Sequence, residues 1–222
     1  MKKKILVITA IVCLLAITIS TASLAYFTDK HTVENVFSVG DVTITLDESK
    51  VTLDGNKHAV VGEERTAAAS QDYGNLYPGQ SIKKDPTVTN TGSEKAYVAA
   101  KVTISATNGF TDANKDYARN LLSGGLLSDN TTVATVVNSI EDNAVVIYIL
   151  YHKEMAKGEK VVLFDTLSIS AAYDNPQMNV LSGLKIRVDA YAVQSVGFDD
   201  AQEAITKAFS TEFEALAPST NP

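Results

Sequence analysis

The chain has 222 residues, of which 45% are hydrophobic and 20% charged, enough apolar material for one sizeable domain or two small ones and too much for a disordered polymer. Its net charge is −7, which excludes a phosphate-binding surface of clustered Lys and Arg and makes nucleic acid a poor partner. One cysteine, Cys13, and three histidines, His31, His58 and His152, leave a disulfide scaffold, an iron–sulfur cluster and a Cys-based zinc site without ligands.

Lys2, Lys3 and Lys4 precede an uncharged apolar run from Ile5 to Ile19, followed by the small residues Ser20 to Ser23 before Leu24 and Ala25. This is the pattern of a secretory signal peptide, residues 1–25, and the run is shorter than the ~20 residues that cross a bilayer as a helix. Small residues at Ser23 and Ala25 fit a cut between Ala25 and Tyr26, with a cut after Ala22 or Ser23 as the alternative. Processing removes three lysines and no acid, so the mature chain is more acidic still and free of cysteine. Membrane contact is then expected only through the uncleaved signal peptide.

Period-two alternation dominates the mature chain. From Val36 to Leu46, Val42, Ile44 and Leu46 share one face, as in a half-buried strand, with Gly40 and Asp41 marking a bulge or turn before it. Val51 to Leu53 and His58 to Val61 flank Asp54-Gly55, a hairpin signal. Ala67 to Asp72 reads as an exposed loop. Ile82 to Thr89 is expected as one strand, which Pro86 confines to an edge or an end. Asn90 to Ser93 then reverses the chain into Lys95 to Ile104, the clearest strand of the first half.

A short helix is expected over 116–122, stopped at Ser123-Gly-Gly125. Thr131–Asn138, Ala144–His152, Lys160–Ser170 and Leu184–Val196 are β-branched and aromatic runs separated by turn residues. A second helix is expected over 200–209, capped by Asp199 with Gln202 completing a capping box, and with Ala201, Ile205, Ala208 and Phe209 as its apolar stripe. The whole reads as mainly β: an antiparallel sandwich with one or two short helices, behind a cleaved signal helix.

Catalytic chemistry is not legible. No pair of histidines stands four apart around a glutamate, and His152-Lys-Glu154 is at best half a metal site at a strand end. Asp112, Asn114 and Asp116 alternate oxygen ligands as a calcium loop does, but Tyr117 and Ser123 stand where an EF-hand needs glycine and glutamate, so the pattern reads first as a polar loop before a helix cap. No cofactor is implied.

Several segments, in order, carry a resemblance: Ala25-Tyr-Phe-Thr-Asp29, Phe37 to Leu46, Leu76-Tyr-Pro-Gly-Gln80 to Asp85, Val88-Thr-Asn-Thr-Gly92 to Val98, and Ile186 to Val196. Together they resemble secreted bacterial proteins of the TasA/camelysin type, which a dedicated signal peptidase, SipW, processes. The resemblance runs from the signal peptide to about Phe198 and is thinnest over 106–180. It implies a jelly-roll-like β-sandwich and, for the fibre-forming members, a structural subunit of the extracellular biofilm matrix. It also implies a rival, since camelysins are described as surface metallopeptidases, and it maps processing to Ala25 and Tyr26.

The mature N-terminus supplies a physical route to assembly. Residues 26–39 are apolar at Phe27, Val33, Phe37 and Val39, begin at Tyr26, and are set apart by Gly40-Asp41. Such a segment can stay in its own sheet or insert into a neighbour's open sheet edge, and an unclosed head-to-tail contact of that kind builds a filament. The expected organisation is therefore a signal peptide (1–25), an assembly segment (26–39), a β-sandwich domain (40–212) and a flexible C-terminal tail (213–222). The expected partners are further copies of the chain, related matrix proteins and the signal peptidase. A monomeric surface or adhesive β-domain, and a camelysin-like peptidase, are the alternatives.

Overall fold

The computed structural model describes residues 41–68, 70–128 and 134–217. The signal peptide, the processing site at Ala25 and Tyr26, the assembly residues Tyr26, Phe27, Val33, Phe37 and Val39, and His31 lie outside the described residues. What is described is mainly β, with eleven strands in antiparallel sheets and three short α-helices.

Strands β1 (Ile44–Leu53) and β2 (Ala59–Thr66) form the hairpin expected around Asp54. The turn is carried by the Asp54 side chain, which accepts from the Asn56 and His58 N–H groups at 2.8 Å, and the left-handed residue is Lys57 at φ 62°, not Gly55. Two strands were expected where β1 is continuous. Its ladder is broken only by a bulge between Ser49 and Val51, and the Gln71 side chain fills the gap, accepting from Val51 N–H at 2.7 Å and donating to the Ser49 carbonyl at 3.0 Å.

The run from Ile82 to Thr89 is not one strand. It divides at Lys84-Asp85-Pro86 into β3 (Ser81–Lys83) and β4 (Thr87–Asn90), which join different sheets. Pro86 sits between them, outside either ladder, so it does not force an edge position. Strand β4 lies between β1 and β9 (Lys160–Val162). Strand β5 (Ala96–Ser105) is an interior strand, paired along its length with β11 (Lys185–Gln194) on one side and β8 (Ala144–Met155) on the other.

Helix α1 (Lys115–Arg119) is shorter than expected, because Leu122 and Ser123 already belong to β6 (Leu122–Ser123), which pairs with β10 (Thr166–Ser168). Strands β7 (Ala134–Glu141) and β8 (Ala144–Met155) meet at Asp142-Asn143, both at positive φ (48° and 61°), the two-residue turn whose twist suits a hairpin. The expected strand Lys160–Ser170 is two, β9 (Lys160–Val162) and β10 (Thr166–Ser168), parted by the buried Leu163 and Phe164.

Helix α2 (Asn175–Val180) was unexpected. Asp174 and Gln177 form its capping box, with Pro176 in the first turn. Strand β11 (Lys185–Gln194) comes next, then α3 (Ala201–Ala208). The α3 cap is Asp200, not Asp199, and the reciprocal partner is Glu203: its N–H donates to Asp200 Oδ1, while its carboxylate accepts from Asp199 N–H, each at 2.8 Å. Gln202 instead donates to the Leu216 carbonyl at 2.8 Å. Ala208 is exposed, and Ala204 takes its place on the buried stripe.

The sheets run β2-β1-β4-β9, β3-β10-β6 and β11-β5-β8-β7. The last is covered on both faces. Val98, Val102, Ile104, Ile147 and Ile149 on one face share a core with Val88, Val161, Leu167 and Phe110. On the other, Tyr97, Ala99, Tyr148 and Leu150 pack under Ala201, Ala204, Ile205, Phe213 and Leu216. The chain is therefore packed beyond position 212, and Phe213 and Leu216 are core residues where a flexible tail was expected. Phe213 meets Tyr148 and Tyr191 edge-on, with centroids 5.7 and 5.0 Å away. Phe213→Ala is expected to cost about 3 kcal/mol in urea-unfolding free energy, from lost burial and the cavity it leaves. A loss below about 1 kcal/mol would return this segment to the status of a tail.

Candidate functional site

Strand β11 pairs with β5 over all ten of its residues and, among the described residues, has no strand on its other side. Beside that edge lies a cleft of about 810 Å³. Leu184 to Asp189 border it as consecutive positions, which means that the strand's backbone edge, and not one side-chain face alone, faces the opening. Leu46, Leu76, Leu167, Ile186 and Val188 supply part of its apolar lining, beside about as much polar surface.

One polar cluster in its lining is built by three elements. Ile44, Leu46 and Glu48 fall on one face of β1, and the first two pack against the main core, so Glu48 carries a carboxylate on an inward stripe. Lys84, from the break between β3 and β4, reaches Glu48 Oε2 at 2.7 Å and the Tyr73 hydroxyl at 3.3 Å, and its ammonium lies 4.6 Å from the centroid of the Tyr73 ring. Tyr73 donates to Glu48 Oε2 at 3.3 Å, and Gln71 donates to Glu48 Oε1 at 2.9 Å. Burial, then the Glu48 charge, pushes the Tyr73 phenol well above its usual value, so it stays a neutral donor. The loop that brings Gln71 and Tyr73 here is held by Gly74 at φ 66°, where any Cβ would stand 2.1 Å from the Lys57 carbonyl oxygen.

Beside the cleft, Asp85 ties the hairpin to the β3–β4 break. It accepts from Ser49 N–H and Arg65 Nη1 at 2.8 Å, from Ser49 Oγ at 3.0 Å, and pairs with Lys83 at 3.2 Å. Burial alone would raise its pKa, but the bonds from Ser49, Arg65 and Lys83 outweigh burial and hold it down to about 2. A carboxyl depressed in the folded state contributes stability above its unfolded value, near 3.8, and loses it as pH falls through about 2. Urea titrations at pH 6, 3 and 2 are expected to show about 2 kcal/mol of this loss. In Asp85→Asn the same interval is flatter; an unchanged slope would contradict the assignment.

The residues that alternate or cluster in sequence as metal ligands are each engaged with a neighbouring side chain or backbone group. Asp112 pairs with Lys115 at 2.6 Å, Asn114 accepts from Thr111 N–H at 2.7 Å, and Asp116 faces Arg119 at 3.6 Å. His152 Nε2 bonds Thr135 Oγ1 at 2.7 Å, while Glu154 pairs with Lys95 at 2.9 Å. His58 stacks edge-on against Tyr77, 5.1 Å between centroids. Among the described residues no three His, Cys, Asp or Glu side chains converge as metal ligands.

None of the cleft's charged residues stood out in the sequence. The signal was there in Glu48, which continues the Ile44, Leu46 stripe with a charge. Compared with family models, curated proteins and solved structures, the chain matches none.

Proposed function

We propose that this chain is a secreted structural protein, a fibre-forming subunit of an extracellular biofilm matrix, whose described domain is a jelly-roll-like β-sandwich. Subunits join by strand exchange: residues 26–39 of one copy dock in extended form on the β11 edge of the next. The observation that carries this is a ten-residue strand edge, unpaired among the described residues, beside a cleft of mixed apolar and polar lining. The fourteen residues from Tyr26 to Val39 span about 46 Å when extended, at ~3.3 Å per residue, more than enough to run the length of β11. The ordered resemblance to TasA/camelysin-type proteins supports the same reading. The processing enzyme would be the dedicated signal peptidase, and the partners other copies or related matrix proteins.

Cross-linking tests the acceptor edge. The mature chain has no cysteine, so a single cysteine at Thr28, Thr32 or Val36, on the segment's outward face, in one preparation can be mixed with Arg187→Cys, on the outward face of the edge strand, in another. Oxidation during assembly is expected to join copies covalently through at least one of these pairs. Fibres that form with no such product would move the acceptor elsewhere.

A further inference from the structure

The cleft wall holds an ion pair where a purely apolar groove would serve docking alone. The Lys84 side chain is 7% exposed and that of Glu48 17%. Both Glu48 oxygens are engaged, Oε2 accepting from Lys84 and Tyr73 and Oε1 from Gln71. On Lys84 one proton is left over: an ammonium carries three, and its acceptors here are Glu48 and the Tyr73 hydroxyl.

Strand docking poses a problem that such a group can solve. An extended segment slipped by two residues keeps the same side chains facing inward, so aliphatic walls discriminate poorly between the two registers. On residues 26–39 one face carries Phe27, Asp29, His31, Val33, Asn35, Phe37 and Val39, an apolar series interrupted by polar groups. An apolar side chain laid over the Lys84–Glu48 pair strips its remaining water without replacing it, whereas a polar one supplies an acceptor for the third proton.

We propose that Lys84, Glu48 and Tyr73 form a register lock: they admit the docking strand only where a polar inward-facing side chain lies over them. This rests on the strand-exchange reading and assigns the specificity of that same cleft. Lys84 is the group that the polar side chain meets, and Glu48 and Tyr73 hold it in place.

The test uses two fluorescein-labelled peptides, residues 26–39 as they stand and the same peptide with Asp29, His31 and Asn35 all replaced by valine. Each is titrated by anisotropy with the chain from Tyr26 carrying an uncleaved N-terminal tag, which keeps its own segment off a neighbour and leaves the β11 edge free. The unmodified peptide is expected to bind roughly tenfold more tightly. In the double variant Glu48→Gln with Lys84→Met, which removes both charges together, that preference is expected to vanish while binding persists. If thermal melting shows that this variant does not fold, Tyr73→Phe, which deletes one hydroxyl, is expected to narrow the preference instead. A wild-type protein that binds both peptides equally, or a folded variant that keeps the full preference, overturns the lock and leaves docking intact. Binding of neither peptide by the wild-type chain overturns docking itself, and the lock with it.

Discussion

Val102→Asp is expected to leave the described domain unfolded at room temperature. Val102 is fully buried in β5, the interior strand paired with β8 and β11, where it sits opposite Ile147 and Val188. A carboxylate there would stand in a core of aliphatic and aromatic side chains drawn from all three sheets. Burying it costs several kcal/mol even if the group takes up a proton, which is a large fraction of the 5–15 kcal/mol that holds a domain together. Val102→Ala isolates the packing loss, expected at about 2 kcal/mol, from the charge penalty. Circular dichroism during thermal melting reads both. A Val102→Asp protein melting within a few degrees of wild type would mean that this strand is not the centre of the core.

Phe37→Asp is expected to abolish assembly while the domain stays folded. In the proposed mechanism Phe37 is an inward-facing ring of the docking segment, and aspartate there trades apolar burial for a desolvated charge, a loss of at least ~2 kcal/mol per contact. A filament makes that contact once per subunit, so the concentration needed for growth rises by roughly thirtyfold or more. Negative-stain microscopy at the wild-type assembly concentration is expected to show no fibres for Phe37→Asp, with an unchanged far-ultraviolet spectrum. Fibres of normal length would remove residues 26–39 from the interface.

Much of the strand content was legible because it depends on local alternation. Lys95 to Ile104, Ala144 to His152 and Leu184 to Val196 each became a strand at nearly the expected bounds. The division of Ile82–Thr89 was not read, although Lys83, Lys84 and Asp85 interrupt the alternation with three successive charges before Pro86. What breaks the strand is the Asp85 network, whose partners Ser49 and Arg65 stand 36 and 20 residues away in sequence. Helix α2 was legible in principle, since Asp174, Pro176 and Gln177 spell a capped start that reads equally as turn punctuation. Phe213 and Leu216 were hidden by their polar surroundings, and only the apolar outer face of β5 and β8 explains why they are buried. The cleft was least accessible of all, because β1, the loop through Tyr73, Lys84 and β11 meet only in the folded chain.

The central claim is that a freed segment of residues 26–39 joins one copy to the next, and sedimentation after incubation at equal concentration tests it most directly. Three proteins are compared: the chain from Tyr26, the chain lacking residues 26–39, and the chain from Tyr26 with an uncleaved N-terminal tag. The first is expected to pellet as fibres, and the truncated and tagged forms to stay in the supernatant as folded monomers. Pelleting of the truncated protein as fibres would contradict strand exchange.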